Sequence, residues 1–205
     1  LLSRGLGDVY KRQGYGIEAT GPHGGRSGKA CRILGEVTMV QEMVDILDEQ
    51  GRVVGLATRR EMRIGRLPHR CVYLVVFNSK GEIFIHQRTS TKDVFPSYWD
   101  MCAGGVVSSG EDFYQGALRE GREELGVELK PEFLFPFRYE DDKTVVFAEV
   151  FRCEHEGPFR LQPEEVIQGE FVALSRLKEL IQEKPFCPDG LQVLEKMISL
   201  GMVDL

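Results

Sequence analysis

The chain has 205 residues, of which 42% are hydrophobic and 28% are charged, and its formal net charge is −6. This length and composition fit one globular domain, and the negative charge argues against nucleic acid or an anionic membrane as a partner. No run of 18 apolar residues occurs, so no membrane helix is predicted. The five cysteines are scattered and form no C-x-x-C pair, which predicts neither a disulfide framework nor a zinc site and is typical of a reduced, cytoplasmic compartment.

Residues 1–38 differ from the remainder. The opening LLSRGLGDVYKRQ has no starting methionine and no apolar signal-peptide segment, and residues 8–13 resemble the translated end of a transposon adaptor. Residues 14–35 are glycine-rich without periodicity, which is typical of disorder. We therefore expect residues 1–38 to be a disordered, non-native or artefactual extension, and residues 39–205, beginning at Met39, to form the domain.

The segment that follows has the period of strands. The hairpin that opens it could serve a homodimer, and the apolar run RCVYLVVF predicts a central strand. The predicted elements are strands at residues 44–47 and 53–57, a short helix or turn at 58–62, and strands at 70–77 and 82–88.

The loop after these strands carries basic residues. Arg88 ends a strand and Lys92 follows it. Arg88 is a candidate phosphate contact because a guanidinium can donate two parallel hydrogen bonds, and Lys92 is a candidate as a point charge. The alternative for both is plain surface charge. Trp99 and Cys102 are more simply explained as buried residues than as a stacking platform and a nucleophile.

The stretch 105–127, GVVSSGEDFYQGALREGREELGV, contains acidic residues at helical spacing. Glu120, Glu123 and Glu124 are three and four positions apart, so on a helix they project from one face. Three such carboxylates repel one another, and a hard divalent cation removes the conflict, which indicates Mg²⁺ or, as the alternative, Mn²⁺. The competing interpretation is a solvated acidic face. Arg119 is expected to hold these carboxylates in place, with Glu111 as its partner.

The boundaries of this helix can also be predicted. Ser108 and Glu111 have the spacing of a capping box, and Gly126 stands where a left-handed residue ends a helix. Phe113, Ala117 and Leu125, with Tyr114 and Leu118 alongside, predict a buried stripe opposite the carboxylates. Gly121 lies in that stripe at a cost of about 1 kcal/mol relative to alanine, so either another element approaches closely there or the helix is less rigid.

The remaining segments complete an α/β pattern. Strands, one long helix, further strands and terminal helices predict a mixed sheet covered by helices. The predicted elements are strands at residues 133–139, 144–151 and 171–174, a helix at 175–183 capped by Ser175, and a last helix from Pro188.

The spacing G-x5-E-x7-R-E-x2-E-E-x-G from Gly105 to Gly126 resembles the Nudix box, with Gly121 where the family has a bulky aliphatic residue. Residues 69–70, 95–99 and 102–105 resemble an uncharacterised bacterial branch of that family, the YfcD type, which is itself similar to isopentenyl-diphosphate isomerase. The resemblance implies an α/β/α sandwich with a mixed sheet.

The resemblance also implies a function and a site. A metal-dependent hydrolase would cleave a diphosphate linkage in a nucleoside diphosphate derivative or similar small molecule. Glu120, Glu123 and Glu124 would be metal ligands, and the catalytic set would be Glu123, Arg119 and Glu111. The substrate would contact Arg88, Lys92, Gly104 and Gly105, and the Gly105 carbonyl is a further candidate ligand. The general base would be Glu123 or one of three acids outside the motif, Glu140, Glu149 and Glu165.

Two other functions remain open. Isomerase chemistry of the isopentenyl-diphosphate type needs a cysteine where this chain has Gly104, and Cys102 lies two positions earlier. A non-catalytic module that senses a nucleotide is the other alternative, although proteins of that kind usually lack one of the metal glutamates.

Overall fold

The computed structural model describes residues 41–204. The expectations for residues 1–38 and for a start at Met39 lie outside these residues. Within them, no helix has the length and apolar character needed to cross a membrane.

The described residues form strands and helices that mostly coincide with the predicted segments. The strands are β1 (Met43–Leu47), β2 (Val53–Thr58), β3 (His69–Phe77), β4 (Ile83–Arg88), β5 (Trp99–Asp100), β6 (Glu132–Glu140), β7 (Val145–Glu154) and β8 (Val166–Val172). The helices are α1 (Arg59–Gly65), α2 (Phe113–Glu124), α3 (Leu174–Glu183) and α4 (Pro188–Ser199).

The main sheet is mixed, as predicted. Its order is β5-β4-β3-β7-β6, and β8 also pairs with β4. The pairing of β3 with β7 is parallel over their common length, whereas the other pairs are antiparallel. The hairpin of β1 and β2 forms a separate two-stranded sheet.

Helices cover both faces of the main sheet. Successive side chains of β3 point to opposite faces, and both sets are buried. Tyr73 and Val75 belong to a core cluster that includes residues of α3 and α4. Val72 and Leu74 belong to a second cluster, with Ala117 of α2. The predicted α/β class, with a mixed sheet and flanking helices, is thus confirmed, and α2 lies directly against the central strand.

Two predicted helix caps are wrong. Helix α2 begins at Phe113 with Asp112 as its cap, whose side chain accepts from the Gln115 N–H at 2.7 Å. Ser108 instead belongs to the preceding turn, where its N–H donates to Glu111 Oε2 at 3.1 Å. Helix α3 begins one residue before Ser175 and has no side-chain capping bond.

Strands β5 and β8 also differ from prediction. The two residues of β5 were not predicted as a strand, and β8 begins at Val166 rather than at residue 171. Both elements depend on pairing with β4. Such non-local pairing leaves little periodicity in a short or partly polar segment.

Candidate active site

Helix α2 directs two of its three glutamates into the protein. Glu120 is 7% exposed and Glu124 is 4% exposed, although both are charged residues that are rarely buried. The side chain of Glu123 is 54% exposed. The predicted stripe is therefore only partly correct: Ala117 and Leu125 are buried, but so are two carboxylates, and Tyr114 is 49% exposed.

The pair Gly104-Gly105 allows α2 to approach the sheet. A Cβ on Gly104 would lie 2.2 Å from the Val72 carbonyl oxygen, and its φ is +133°. A Cβ on Gly105 would lie 2.8 Å from Glu120 Oε1. The backbone N–H of Gly104 can consequently donate to Glu124 Oε2 at 2.8 Å, and the Gly105 carbonyl accepts from the Val72 N–H at 2.9 Å.

The glycine inside α2 has a related explanation. A Cβ on Gly121 would lie 3.0 Å from Leu129 Cδ1 in the segment that follows the helix. Of the two alternatives for Gly121, the structure therefore shows the close approach of another element.

Arg119 connects the acidic residues of the site. Its Nε donates to Glu111 Oε1 at 3.0 Å, and its Nη1 donates to Glu120 Oε1 at 2.8 Å and to Glu123 Oε2 at 3.1 Å. Its Nη2 donates to the Val106 carbonyl at 2.9 Å. Although burial alone would lower the pKa of Arg119, the hydrogen bond to Glu111 and the charge of Glu120 raise it overall. Arg119 therefore fixes the directions of the glutamates that flank it.

Lys92 reaches the opposite side of the carboxylates. Its Nζ lies 3.5 Å from Glu124 Oε1 and also forms an ion pair with Glu165. Its side chain is only 13% exposed. Burial lowers the pKa of Lys92.

These residues surround a cavity of about 290 Å³. Its lining is mostly charged, so it suits a polyanion bound together with cations better than an apolar ligand. The charged side chains that line it are Glu42, Arg59, Lys92, Arg119, Glu120, Glu123, Glu124 and Glu165.

The buried carboxylates are electrostatically costly without a cation. Burial, reinforced by the neighbouring charge of Glu124, raises the pKa of Glu120 to about 7. Glu120, Glu123 and Glu124 line one cavity, although in the described part of the chain it is Asp100, Cys187 and Asp189 that bring three ligand atoms within 4.8 Å of one another. Carboxylate oxygens are the ligands that Mg²⁺ and Mn²⁺ prefer in proteins, so the donor atoms of the three glutamates fit a hard divalent cation by their chemistry.

The structure brings most of the predicted site residues together. Lys92, Gly104, Gly105 and Arg119 line the cavity with the three glutamates of α2. Glu111 does not line the cavity but accepts hydrogen bonds from Arg119, which does. Arg88 does not line this cavity but lines the two smaller ones beside it.

The candidates for the general base separate into two groups. Glu123 and Glu165 both line the cavity. Glu140 is instead paired with Arg66 and Arg138 away from it, and Glu149 borders a different cavity.

Four residues of the cavity were not predicted as site residues. Ser108 was predicted only as a helix cap, and Gln162 belongs to no motif. Glu42 and Arg59 form an ion pair at 2.9 Å. Arg59 begins helix α1, whose capping box of Thr58 and Glu61 was readable as T-x-x-E. That signal located a helix start, but it could not show that the helix faces the carboxylates.

The fold and this site define a hydrolase of a known class. The NUDIX domain model matches residues 67–196. This chain therefore belongs to the Nudix family and is a Nudix hydrolase, a class of enzymes that acts on small molecules and generally uses divalent metal ions.

Individual relatives agree with this assignment. The chain is 39% identical over 166 residues to an uncharacterized Nudix hydrolase of Streptomyces coelicolor, covering 80% of this chain and 92% of the relative. It is 38% identical over 154 residues to the uncharacterized Nudix hydrolase YfcD of Escherichia coli K12, covering 75% and 84%. The crystal structure of DR0079 from Deinococcus radiodurans superposes with a TM-score of 0.67 at 26% identity, covering 76% of this chain and 98% of that one.

Proposed function

We propose that this Nudix hydrolase cleaves a diphosphate linkage in a nucleoside diphosphate derivative or a similar small-molecule diphosphate, with Mg²⁺ or Mn²⁺ as cofactor. The observation that carries the proposal is the burial of Glu120 and Glu124 against one cavity that Glu123 also lines. Arg119 donates to Glu120 and the Gly104 N–H donates to Glu124, and yet the pKa of Glu120 stays raised, so the buried negative charge is only partly compensated and remains unfavourable. A site that keeps these carboxylates is best explained by the cation that they hold.

Glu120, Glu123 and Glu124 would hold the metal, which would supply positive charge for the diphosphate and would make a water molecule more acidic. Arg119 and Glu111 would be positioning residues. Arg119, held by Glu111, keeps Glu120 and Glu123 directed toward the cavity. Positioning of this kind supplies much of the rate in phosphoryl transfer.

The cations of the cavity would bind the substrate's phosphate oxygens. Lys92 forms an ion pair with Glu165, and Arg59 forms one with Glu42. Both cations nevertheless line the cavity. The Gly104-Gly105 backbone lies directly against Glu120, because a Cβ on Gly105 would lie 2.8 Å from Glu120 Oε1, and both glycines line the cavity where the substrate would bind. Electrostatic contacts from preorganised groups stabilise the charge that develops in the reaction.

The general base would be Glu123 or Glu165. The Glu123 side chain is the more exposed of the two, at 54% against 30%. Both carboxylates have a cationic partner, Arg119 for Glu123 and Lys92 for Glu165, so the greater exposure of Glu123 at the cavity edge decides between them, because it gives an attacking water direct access. Glu123 is therefore the favoured base.

The two other functions have no comparable support. Cys102 is 4% exposed and does not line the cavity of the three glutamates, so isomerase chemistry has no cysteine there. The non-catalytic alternative is not favoured either, since all three glutamates are present. A cytoplasmic location, a homodimer through the β1–β2 hairpin and a domain spanning residues 39–205 stay as proposals from the sequence.

A substrate panel tests the proposal. Nucleoside diphosphate derivatives, nucleoside triphosphates and prenyl diphosphates would each be incubated with protein and Mg²⁺, and the products identified by mass spectrometry. We expect cleavage of the bond between two phosphate groups, and we expect it to stop when a chelator is added. The variant Glu124→Gln should lose this activity, while its thermal unfolding curve should be nearly unchanged. A shifted double bond without phosphate release, or full turnover by Glu124→Gln, would overturn the proposal.

A further inference from the structure

Two arginines beside the proposed active site are incompletely paired. Arg63 lies on α1, and its Nη1 makes a long hydrogen bond of 3.4 Å to the Thr144 hydroxyl. Its Nε is buried without a hydrogen-bond partner among the described residues, and none of their carboxylate oxygens lies within 4.0 Å of its guanidinium. Burial lowers the pKa of Arg63.

Arg88, at the end of β4, is also incompletely paired. Its Nη2 donates to the Val94 carbonyl at 3.1 Å, and its Nη1 lies 3.8 Å from Asp100 Oδ2, which is beyond hydrogen-bond distance. Its Nε is also buried without a partner in the described part of the chain. The side chain is 16% exposed.

Both arginines line the same two cavities, of about 270 and 70 Å³. The larger of these also contains Arg59 and Lys92, which line the cavity of the glutamates as well. The smaller one shares Gly104 and Gly105 with it. The arginines therefore adjoin the proposed diphosphate site on the side of Lys92.

A nearby acidic cluster does not account for these charges. Oxygen and sulfur atoms of Asp100, Cys187 and Asp189 lie within 4.8 Å of one another, an arrangement with some likeness to a cation site. However, Arg88 already places positive charge beside Asp100, and Asp189 accepts a hydrogen bond from the Tyr73 hydroxyl at 2.8 Å. The cluster is better explained as a partial counter-charge for Arg88. The negative charge that acts on Arg63 comes from Asp93, which lines the larger cavity but forms no ion pair with Arg63 within 4.0 Å.

From these contacts we infer that Arg63 and Arg88 form a second anion subsite, which takes a further phosphate group of the substrate. A phosphate offers several acceptor oxygens and matches the forked guanidinium donors, so it would satisfy both side chains at once. The inference rests on the proposed function and narrows it. The substrate class becomes molecules with a phosphate beyond the diphosphate that is cleaved, such as triphosphates or doubly phosphorylated diphosphates.

Binding without metal tests the subsite independently of turnover. Inorganic tripolyphosphate and pyrophosphate would be titrated into the protein by calorimetry, with chelator present throughout. We expect the wild type to bind tripolyphosphate the more tightly. Arg63→Gln should weaken tripolyphosphate binding about tenfold or more, while it changes pyrophosphate binding much less. Arg63→Lys, which keeps the charge, should recover part of the loss.

The matched control is Arg60→Gln, because Arg60 is an exposed arginine on the same helix. The unfolding temperature of each variant verifies folding. Equal tripolyphosphate binding by Arg63→Gln and Arg60→Gln would overturn the inference, as would a wild type that binds both probes equally or neither. If the subsite behaves as expected but the substrate panel shows no hydrolysis, then the proposed function fails and the anion site stands.

Discussion

The substitution Glu120→Gln should weaken metal binding at least tenfold and yet stabilise the metal-free protein. Glu120 is 7% exposed, and burial first and the charge of Glu124 second raise its pKa from 4.5 to about 7. Because the folded-state pKa is raised, the stability that the protonated side chain contributes is fully present below pH 4.5 and is lost as the pH rises through 7. Glutamine resembles the protonated form at every pH.

The size of the effect follows from that shift. A difference of about 2.5 pKa units at about 1.36 kcal/mol each makes the variant more stable by about 3 kcal/mol at pH 8, and by less than about 1 kcal/mol at pH 5. For a domain of this size, 3 kcal/mol corresponds to roughly 6–12 °C in Tm. The hydrogen bond from Arg119 Nη1 at 2.8 Å can be kept by the amide oxygen.

The assay is thermal and chemical unfolding in chelator at pH 8 and pH 5, repeated at pH 8 with Mg²⁺. Glu123→Gln is the matched control: its side chain is 54% exposed, so its stability should change by less than about 0.5 kcal/mol at either pH. Added Mg²⁺ should stabilise the wild type but not Glu120→Gln. A variant no more stable than the wild type at pH 8, or equally stabilised at both pH values, would refute the reasoning.

Three further predictions concern the same site. Gly104→Ala should destabilise the fold by about 2–3 kcal/mol or more in urea unfolding, because its Cβ would lie 2.2 Å from the Val72 carbonyl oxygen at φ +133°; a loss below about 1 kcal/mol would contradict the close approach. Arg119→Lys should lower kcat/KM at least tenfold with about 1 kcal/mol lost in stability, because an ammonium cannot reproduce the fork that holds Glu111, Glu120 and Glu123; unchanged kinetics would remove Arg119 from the positioning role. The affinity for Mg²⁺, measured by calorimetry, should fall about tenfold per pH unit below pH 7, since Glu120 must lose its proton to bind metal; a constant affinity between pH 7 and pH 5.5 would count against Glu120 as a ligand.

The sequence predicted the elements of this fold whose signals are local. Apolar runs identified β3 and β4, and the spacing of the Nudix box identified α2 and the residues that meet at the cavity. The caps were less predictable, because Ser108 and Asp112 both have capping side chains near the start of α2 and only Asp112 has the Gln115 partner in place. A choice of that kind depends on the path of the preceding turn.

Features that depend on distant parts of the chain could not be read. Helical spacing showed that Glu120 and Glu124 share a face but not that this face is buried, which follows from the approach of the Gly104-Gly105 loop. Arg63 gave no signal at all, since its position beside Arg88 depends on how α1 packs near the end of β4. Contacts between segments far apart in sequence carry no periodicity.

Direct titration of Mn²⁺, followed by the electron paramagnetic resonance of the free ion, tests the central claim that the glutamates of α2 hold a divalent cation. The wild type should bind Mn²⁺ at a site that Mg²⁺ competes for, and Glu120→Gln and Glu124→Gln should each weaken binding at least tenfold. Glu128→Gln, at a glutamate whose side chain is 71% exposed just beyond the helix, should bind as the wild type does. If both buried-site variants bind Mn²⁺ with the affinity of the wild type, then the cation lies elsewhere and the proposed active site is wrong.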